Sequence, residues 1–178
     1  DPALRHVRSL LRSIRGKKAG AMVTPFGEAE SDLKWWLNTS GKTREMSLIG
    51  QATTASVTTD ASAEAIGYVL EVEREKMQKT LAVSDVDQHI NVKELEALLG
   101  CLQSEGHRLD NRRIVWYTDN VTARAAVMRQ GTQQIGSETW ETTKKILDIL
   151  EQRNIGILAK HMPGALNRWA DSLSREGI

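Results

Sequence analysis

The sequence contains a single cysteine, Cys101, and no long run of apolar residues among its 178 positions. One cysteine excludes an intramolecular disulfide. The missing apolar run argues against a signal peptide and against a membrane-spanning helix. Together these absences predict an intracellular, soluble protein with no membrane partner. Cys101 itself lies in the apolar stretch LEALLGCLQ, where a buried and inert thiol is expected.

The sequence also lacks a strong charge of either sign. Its 24 basic and 23 acidic residues give a formal net charge of +1, so any binding of nucleic acid must come from local asymmetry. Such asymmetry exists at the start of the chain, where Arg5, Arg8 and Arg12 follow apolar residues at helical spacing. This pattern predicts an amphipathic basic helix. Its arginines are either a solvated face or a surface that follows nucleic-acid phosphates, and the sequence leaves both readings open.

No internal repeat or low-complexity tract interrupts the chain, whose length suits one main domain with an appendage. Residues 1–50 read as two helices with a connector, the second helix capped by Ser31. Residues 52–178 read as strand, strand, strand, helix, strand, helix, helix, strand and helix, with the third strand over residues 79–84. That order predicts an α/β or α+β domain with a mixed sheet.

In the helix of residues 91–105, His89 belongs to the N-terminal cap region, Val92, Leu95, Leu99 and Leu102 face the core, and Glu94 lies at the rim of this apolar stripe. In the long helix that begins near Ser137, the residues predicted to face inward are Trp140, Thr143, Leu147 and Leu150.

Four acidic residues stand out by their settings. Asp60 and Asp119 each close a short run rich in β-branched or aromatic residues, in TTDASAEAIGYVL and IVWYTDN. Glu94 in HINVKELEALL and Asp171 in HMPGALNRWADSLSR lie in stretches with helical apolar spacing. Carboxylates at strand ends and on flanking helices can converge on one site when the chain folds.

Converging carboxylates repel one another unless cations neutralise them. Hard divalent cations prefer oxygen ligands, and Mg²⁺ fits such a set most naturally. A Mg²⁺ site of this kind is typical of phosphodiester chemistry.

These motifs, in this order, resemble the ribonuclease H domain of a retroelement reverse transcriptase, most closely that of DIRS-type retrotransposons. The resemblance covers residues 52 to about 176, and His161 lies ten positions before Asp171 as in the family pattern. It implies a ribonuclease-H-like fold with a five-stranded mixed sheet, three strands antiparallel and the others parallel, flanked by helices. Residues 1–50 resemble the end of a polymerase thumb and connection. The chain has no polymerase Tyr-x-Asp-Asp motif, so it is not expected to synthesise DNA.

The resemblance implies hydrolysis of the RNA strand of RNA/DNA hybrids during reverse transcription, with an upstream polymerase domain as a partner. Two Mg²⁺ ions, replaceable by Mn²⁺, would lie roughly 4 Å apart at the scissile phosphate. Asp60 would bridge them, Asp171 would complete the site of the water-activating ion, and Glu94 and Asp119 would hold the other. His161, in the loop HMPG, would assist proton transfer or product departure.

Recognition of the hybrid is expected through sugars rather than base edges. By the same resemblance, Asn91 and Asn120 would contact the sugars. Ala61, where many ribonucleases H carry glycine, would approach the RNA strand. Asn167 would orient the closing helix or the metal ligands.

Two other functions fit a fold of this kind. A non-catalytic module could bind nucleic acid or a partner protein without hydrolysis. Another nuclease of the same superfold, such as an integrase or a junction resolvase, would cut DNA. The helix-borne Glu94 and the His161 motif favour the ribonuclease.

Overall fold

A computed structural model describes residues 6–7, 10–11, 14–25, 27–40, 55–83, 85–131, 137–164, 167 and 172. The chain divides into two compact units, Asp1–Ile49 and Gly50–Ile178. Among the described residues, no helix has the length and apolar character needed to cross a membrane.

The described part of the first unit contains helical residues before Gly16 and a second helix after Gly27, with non-helical residues between them. His6, Val7, Leu10, Leu11 and Ile14 are helical, and Gly16 ends that stretch with a left-handed backbone, φ 78°. Helix α1 spans Glu28–Thr39, whereas the sequence predicted a start capped by Ser31. That prediction was wrong, because Gly27 precedes the first turn and the acidic side chains of Glu28 and Glu30 favour a helix N-terminus.

The second unit is built on a five-stranded sheet. Its elements in chain order are β1 Ala55–Ala61, β2 Ala65–Val72, β3 Glu75–Ala82, α2 Ile90–Glu105, a 3₁₀ turn Gly106–Leu109, β4 Arg113–Thr118, α3 Val121–Met128, α4 Glu138–Gln152 and β5 Gly156–His161. The predicted closing helix is described only at Ser172, which is helical; the rest of that segment, apart from Asn167, lies outside the described residues.

The strands lie in the order β3-β2-β1-β4-β5. β1 pairs antiparallel with β2 and parallel with β4, while β3 extends the antiparallel side and β5 the parallel side. Helix α2 packs on β1 and β2 and against α4, and α3 packs on α4 and β5. The predicted mixed sheet, antiparallel and then parallel and flanked by helices, is confirmed.

The third strand begins earlier than the sequence indicated. The strand prediction covered residues 79–84, but β3 starts at Glu75, after a two-residue turn in which Glu73 has φ 58°. Its first half carries charged and polar side chains exposed to solvent. Because β3 is an edge strand, pairing with β2 alone suffices, and no apolar alternation marks it in the sequence.

The core lies between the sheet and the face of α2 that the sequence predicted. Val92, Leu95, Leu99 and Leu102 are buried there. On α4, the predicted inward residues are also buried, namely Trp140, Thr143, Leu147 and Leu150. Cys101 is fully buried as well, and burial together with the nearby Glu105 raises the pKa of its thiol. A thiol in this state is not a nucleophile, as expected.

Trp116 joins the two central parallel strands inside the core. Its side chain on β4 is fully buried, and Nε1 donates a 2.9 Å hydrogen bond to Oγ1 of Thr59 on β1, which is buried too. We expect Trp116→Phe to lower the free energy of unfolding by about 2 kcal/mol, because ring volume and the donor are both lost. Urea unfolding measures this change. In a Thr59→Val background the cost should be smaller, and an equal cost in both backgrounds would show that the hydrogen bond contributes nothing.

The outer edge of the parallel side carries an unusual contact. The backbone N–H of Ala159 on β5 points away from β4 and donates to Sδ of Met128, at the end of α3, over 3.2 Å. Part of the free edge of β5 is therefore occupied by a side chain.

Candidate active site

Asp60 and Asp119 lie side by side because of the strand order. β1 and β4 are parallel neighbours, so they end at the same edge of the sheet. Asp60 is the last residue but one of β1 and is 8% exposed. Asp119 directly follows β4 and is partly buried. The two carboxylates thus come from strands that are adjacent in space but distant in sequence.

Helix α2 brings Glu94 to the same place. The helix begins at Ile90, and its N-cap His89 accepts a hydrogen bond from the backbone N–H of Asn91 over 3.1 Å, as the sequence predicted for His89. Glu94 lies one turn into the helix. Carboxylate oxygens of Asp60, Glu94 and Asp119 all lie within 4.8 Å of one another.

Glu94 lies deeper than the sequence suggested. It was predicted at the rim of the apolar stripe, but its side chain is only 3% exposed. Burial, followed by the charges of Asp60 and Asp119, raises its pKa to about 8. At neutral pH without a cation, Glu94 therefore keeps its proton, and a bound divalent cation would displace it.

A short hydrogen-bond network supports this cluster. The hydroxyl of Thr118, the last residue of β4, faces Oε2 of Glu94 at 3.5 Å and accepts from the backbone N–H of Asn120 at 3.0 Å. Asn120 caps α3, with Oδ1 accepting from the backbone N–H of Ala123 over 2.9 Å. Its Nδ2 donates to Oδ1 of Asn91 over 2.9 Å. The N-termini of α2 and α3 are thereby joined beside the carboxylates.

Asn167 forms a hydrogen bond with Asp60. Its side chain is 2% exposed, and Nδ2 donates to the carbonyl of Thr59 at 3.0 Å and to Oδ1 of Asp60 at 3.3 Å. The sequence predicted that Asn167 orients the closing helix or the metal ligands. The contact with Asp60 agrees with the second of these roles, which stays a prediction.

The loop after β5 lies directly on Asp119. A Cβ atom built on Gly164 would lie 3.0 Å from Oδ2 of Asp119, so the close approach depends on the missing side chain. We expect Gly164→Ala to displace this carboxylate and to weaken binding of Mn²⁺ by about tenfold, measured by titration calorimetry.

Gly156→Ala provides the matched control for that substitution. A Cβ atom there would make only ordinary contacts, the nearest at 3.5 Å to the side chain of Arg113. Equal Mn²⁺ affinity in both variants would show that the Gly164 contact does not position Asp119.

His161 is the last residue of β5, paired with Thr118, at the point where the strand passes into the loop HMPG. It is exposed, one strand away from the residue that precedes Asp119. Ala61 ends β1, is paired with Ile66 and is partly buried. The remaining predicted site residues, Asp171, Arg5, Arg8 and Arg12, lie outside the described residues.

Sequence reasoning missed two residues that contact the clustered carboxylates, Thr118 and Gly164, and it missed the burial of Lys93. A threonine before a strand-end aspartate and a glycine after a histidine are too common to stand out. Lys93 is buried at 3% exposure, although its sequence setting resembles that of any solvated helical lysine. Only the tertiary structure distinguishes them.

Three solved structures of RNase H proteins are similar to this chain. The N-terminal RNase H domain of Rv2228c from Mycobacterium tuberculosis superposes with TM-score 0.58 and 14% identity, covering 69% of this chain and 97% of that one. RNase H1 from Halobacterium salinarum gives 0.53 and 17%, covering 68% and 93%. LC11-RNase H1, isolated from compost and solved with an RNA/DNA hybrid, gives 0.58 and 24%, covering 70% and 96%.

No protein-family model and no curated protein sequence matches the chain. The structural similarity establishes a ribonuclease-H-like fold for the second unit. Within the described residues, the cluster of Asp60, Glu94 and Asp119 could bind a metal ion.

Proposed function

We propose that this chain is a metal-dependent ribonuclease H that hydrolyses the RNA strand of RNA/DNA hybrids. One observation carries the proposal: oxygens of Asp60, Glu94 and Asp119 lie within 4.8 Å of one another, at one sheet edge of a ribonuclease-H-like fold. Asp171, by its sequence motif, is proposed as the fourth carboxylate. A solved structural neighbour is described in complex with an RNA/DNA hybrid.

The donor set fits a hard divalent cation. All three clustered side chains offer carboxylate oxygens, and no cysteine or histidine belongs to the cluster within the described part of the chain. Oxygen ligands alone suit Mg²⁺, with Mn²⁺ as a substitute. Burial, followed by the charges of Asp60 and Asp119, raises the pKa of Glu94 to about 8, and a bound cation would offset both effects. When bound, two Mg²⁺ ions supply water activation and charge stabilisation at the scissile phosphate.

The protein's own residues would orient the reactants. Asn167 fixes one carboxylate oxygen of Asp60 through its 3.3 Å hydrogen bond. Thr118 constrains Glu94 through its hydroxyl, and Gly164 lies close against the carboxylate of Asp119. His161 is exposed at the end of β5, where its imidazole could transfer a proton at the edge of the site. We therefore expect His161 to modulate the rate and not to be essential.

Asn91 and Asn120 are the proposed contacts with the sugars of the hybrid. They are partly buried, joined by a 2.9 Å hydrogen bond, and located where the N-termini of α2 and α3 meet the cluster. An amide can both donate to and accept from a ribose 2′-hydroxyl, which DNA lacks. Ala61 and the arginines at positions 5, 8 and 12 are further proposed contacts.

A cleavage assay tests the proposal. A labelled RNA/DNA hybrid is incubated with the protein and Mg²⁺, with double-stranded RNA, double-stranded DNA and single-stranded RNA as controls. We expect cleavage of the RNA strand of the hybrid alone, with 3′-hydroxyl and 5′-phosphate products, and no cleavage after chelation. Binding of the hybrid without cleavage would favour the non-catalytic module, and cleavage of DNA would favour an integrase or resolvase.

We further propose that the chain comes from a retroelement reverse transcriptase, most like the DIRS type. Residues 1–50 would then be a remnant of the thumb and connection, and residues 52–178 the ribonuclease H domain. Its partner would be the upstream polymerase domain, and it would act inside the cell, in the cytoplasm, nucleus or retroelement particle. Tighter hybrid binding by this chain together with such a polymerase domain than by the chain alone would support the assignment.

A further inference from the structure

A buried lysine with no role in the metal site lies beneath two exposed loops. Lys93 precedes Glu94 on α2 and is 3% exposed. Its Nζ donates to the carbonyl oxygens of Ala63 at 2.7 Å and of Val86 at 2.6 Å. Among the described residues it forms no ion pair, so the buried ammonium is solvated by these backbone dipoles.

The first of the two loops follows the metal ligand Asp60. Residues 62–64 connect β1 to β2, and the hydroxyl of Ser62 accepts from the backbone N–H groups of Glu64 and Ala65 at 3.3 and 3.1 Å. These contacts fix the shape of the turn, while Ala63 and Glu64 stay exposed. Lys93, 30 positions along the chain from Ala63, ties this turn to α2.

The second loop, residues 85–89, leads into α2 and to Asn91. It is held internally by Asp85, whose Oδ1 accepts from the backbone N–H of Asp87 at 2.9 Å. Val86 is 62% exposed on its outer side, although its carbonyl faces the buried ammonium. Both loops therefore meet at one nitrogen atom.

We propose that Lys93 is a positioning residue that holds these two loops as one preformed surface for the RNA strand of the hybrid. The inference rests on the proposed function. A ligand that enters the carboxylate cluster next to Asp60 and is contacted by Asn91 passes both loops. A surface fixed before binding avoids the entropy cost of ordering two loops when the ligand binds. The role concerns substrate affinity and does not involve the reacting atoms.

Lys93→Met tests this role because it keeps the aliphatic stem and removes the ammonium. Because both loops lie at the surface, they can shift until water reaches the released carbonyls of Ala63 and Val86, and we expect the variant to fold. The KM for the hybrid should rise about tenfold, while kcat should stay within about twofold, because the carboxylates keep their positions. Lys79→Met, an exposed lysine on β3, controls for the loss of one positive charge.

Hydrogen–deuterium exchange gives a readout that does not depend on activity. Lys93→Met should exchange faster than the parent protein at residues 61–65 and 85–89 and equally in β4. An unchanged KM, or a joint fall of kcat and Mn²⁺ affinity, would overturn the proposal. If the parent protein neither cleaves nor binds the hybrid, the proposed function fails. Unchanged exchange in both loops of Lys93→Met would instead refute the proposed role of Lys93 in holding them.

Discussion

Asp60→Asn is expected to reduce Mg²⁺-dependent cleavage of an RNA/DNA hybrid by about a thousandfold or more. Asp60 is near the end of β1, the parallel neighbour of β4, and its carboxylate lies within 4.8 Å of those of Glu94 and Asp119. Asparagine has the same shape and can still accept from Nδ2 of Asn167. The substitution therefore removes negative charge and a metal ligand with little change in packing. Single-turnover cleavage over a range of Mg²⁺ concentrations measures the effect.

Asp110→Asn is the matched control for this variant. Asp110 precedes β4, at the opposite end of the strand from Asp119, and its Oδ1 accepts from Arg153 at 2.9 Å on the surface. Its loss should leave cleavage unchanged. Full activity in Asp60→Asn would contradict the assignment of the site, whereas a loss of activity in both variants would indicate a general effect of charge.

Glu94→Gln is expected to stabilise the metal-free protein at alkaline pH while abolishing its response to Mg²⁺. The pKa of Glu94 is raised from its ordinary 4.5 to about 8, first by burial and then by Asp60 and Asp119. The folded state thus binds this proton more tightly than the unfolded state. Stability is fully present below about pH 4.5 and is lost as pH rises through about 8.

Glutamine mimics the protonated acid and removes this loss. At about pH 9 without metal, the variant should be more stable than the parent protein by on the order of 2 kcal/mol, and at about pH 5 the two should be alike. Added Mg²⁺ should then stabilise the parent protein and not the variant. Urea unfolding at both pH values, with chelator or Mg²⁺, measures these differences. Glu141→Gln, an exposed carboxylate on α4, should keep the parent's pH profile.

Parallel pH profiles for Glu94→Gln and the parent protein would mean that Glu94 is already ionised in the metal-free state.

The expected reversal of stability with Mg²⁺ also has a functional meaning. The carboxylate that costs stability in the empty site is the one that a divalent cation needs. Selection for metal binding therefore opposes selection for stability at this position.

Local patterns in the sequence predicted the strands of the sheet and the positions of Asp60, Glu94 and Asp119 in their strands and helix. β-branched runs identified β1 and β4, and each run ends at an aspartate. Apolar spacing identified α2, and the structure brings Glu94 to the two aspartates. Strand ends and helix faces depend on local spacing, which explains why the elements that carry these three carboxylates could be predicted. Their catalytic role stays a proposal.

Other features depend on contacts between distant segments and leave no local pattern. The polar start of β3 is a strand because β2 offers it a partner. Gly164 matters because Asp119 lies against it, and Lys93 is buried because two loops close over it. The depth of Glu94 likewise follows from the packing of α2 on the sheet. The placement of Asp171 stays a prediction.

The sulfur of Met128 has a consequence for self-association. An edge strand with free N–H groups can recruit a second copy of itself, and growth of that kind leads to aggregates. At Ala159 the donor is already engaged by a thioether, so an incoming strand must first displace Met128. Removal of the Met128 side chain would leave the N–H of Ala159 available to an incoming strand.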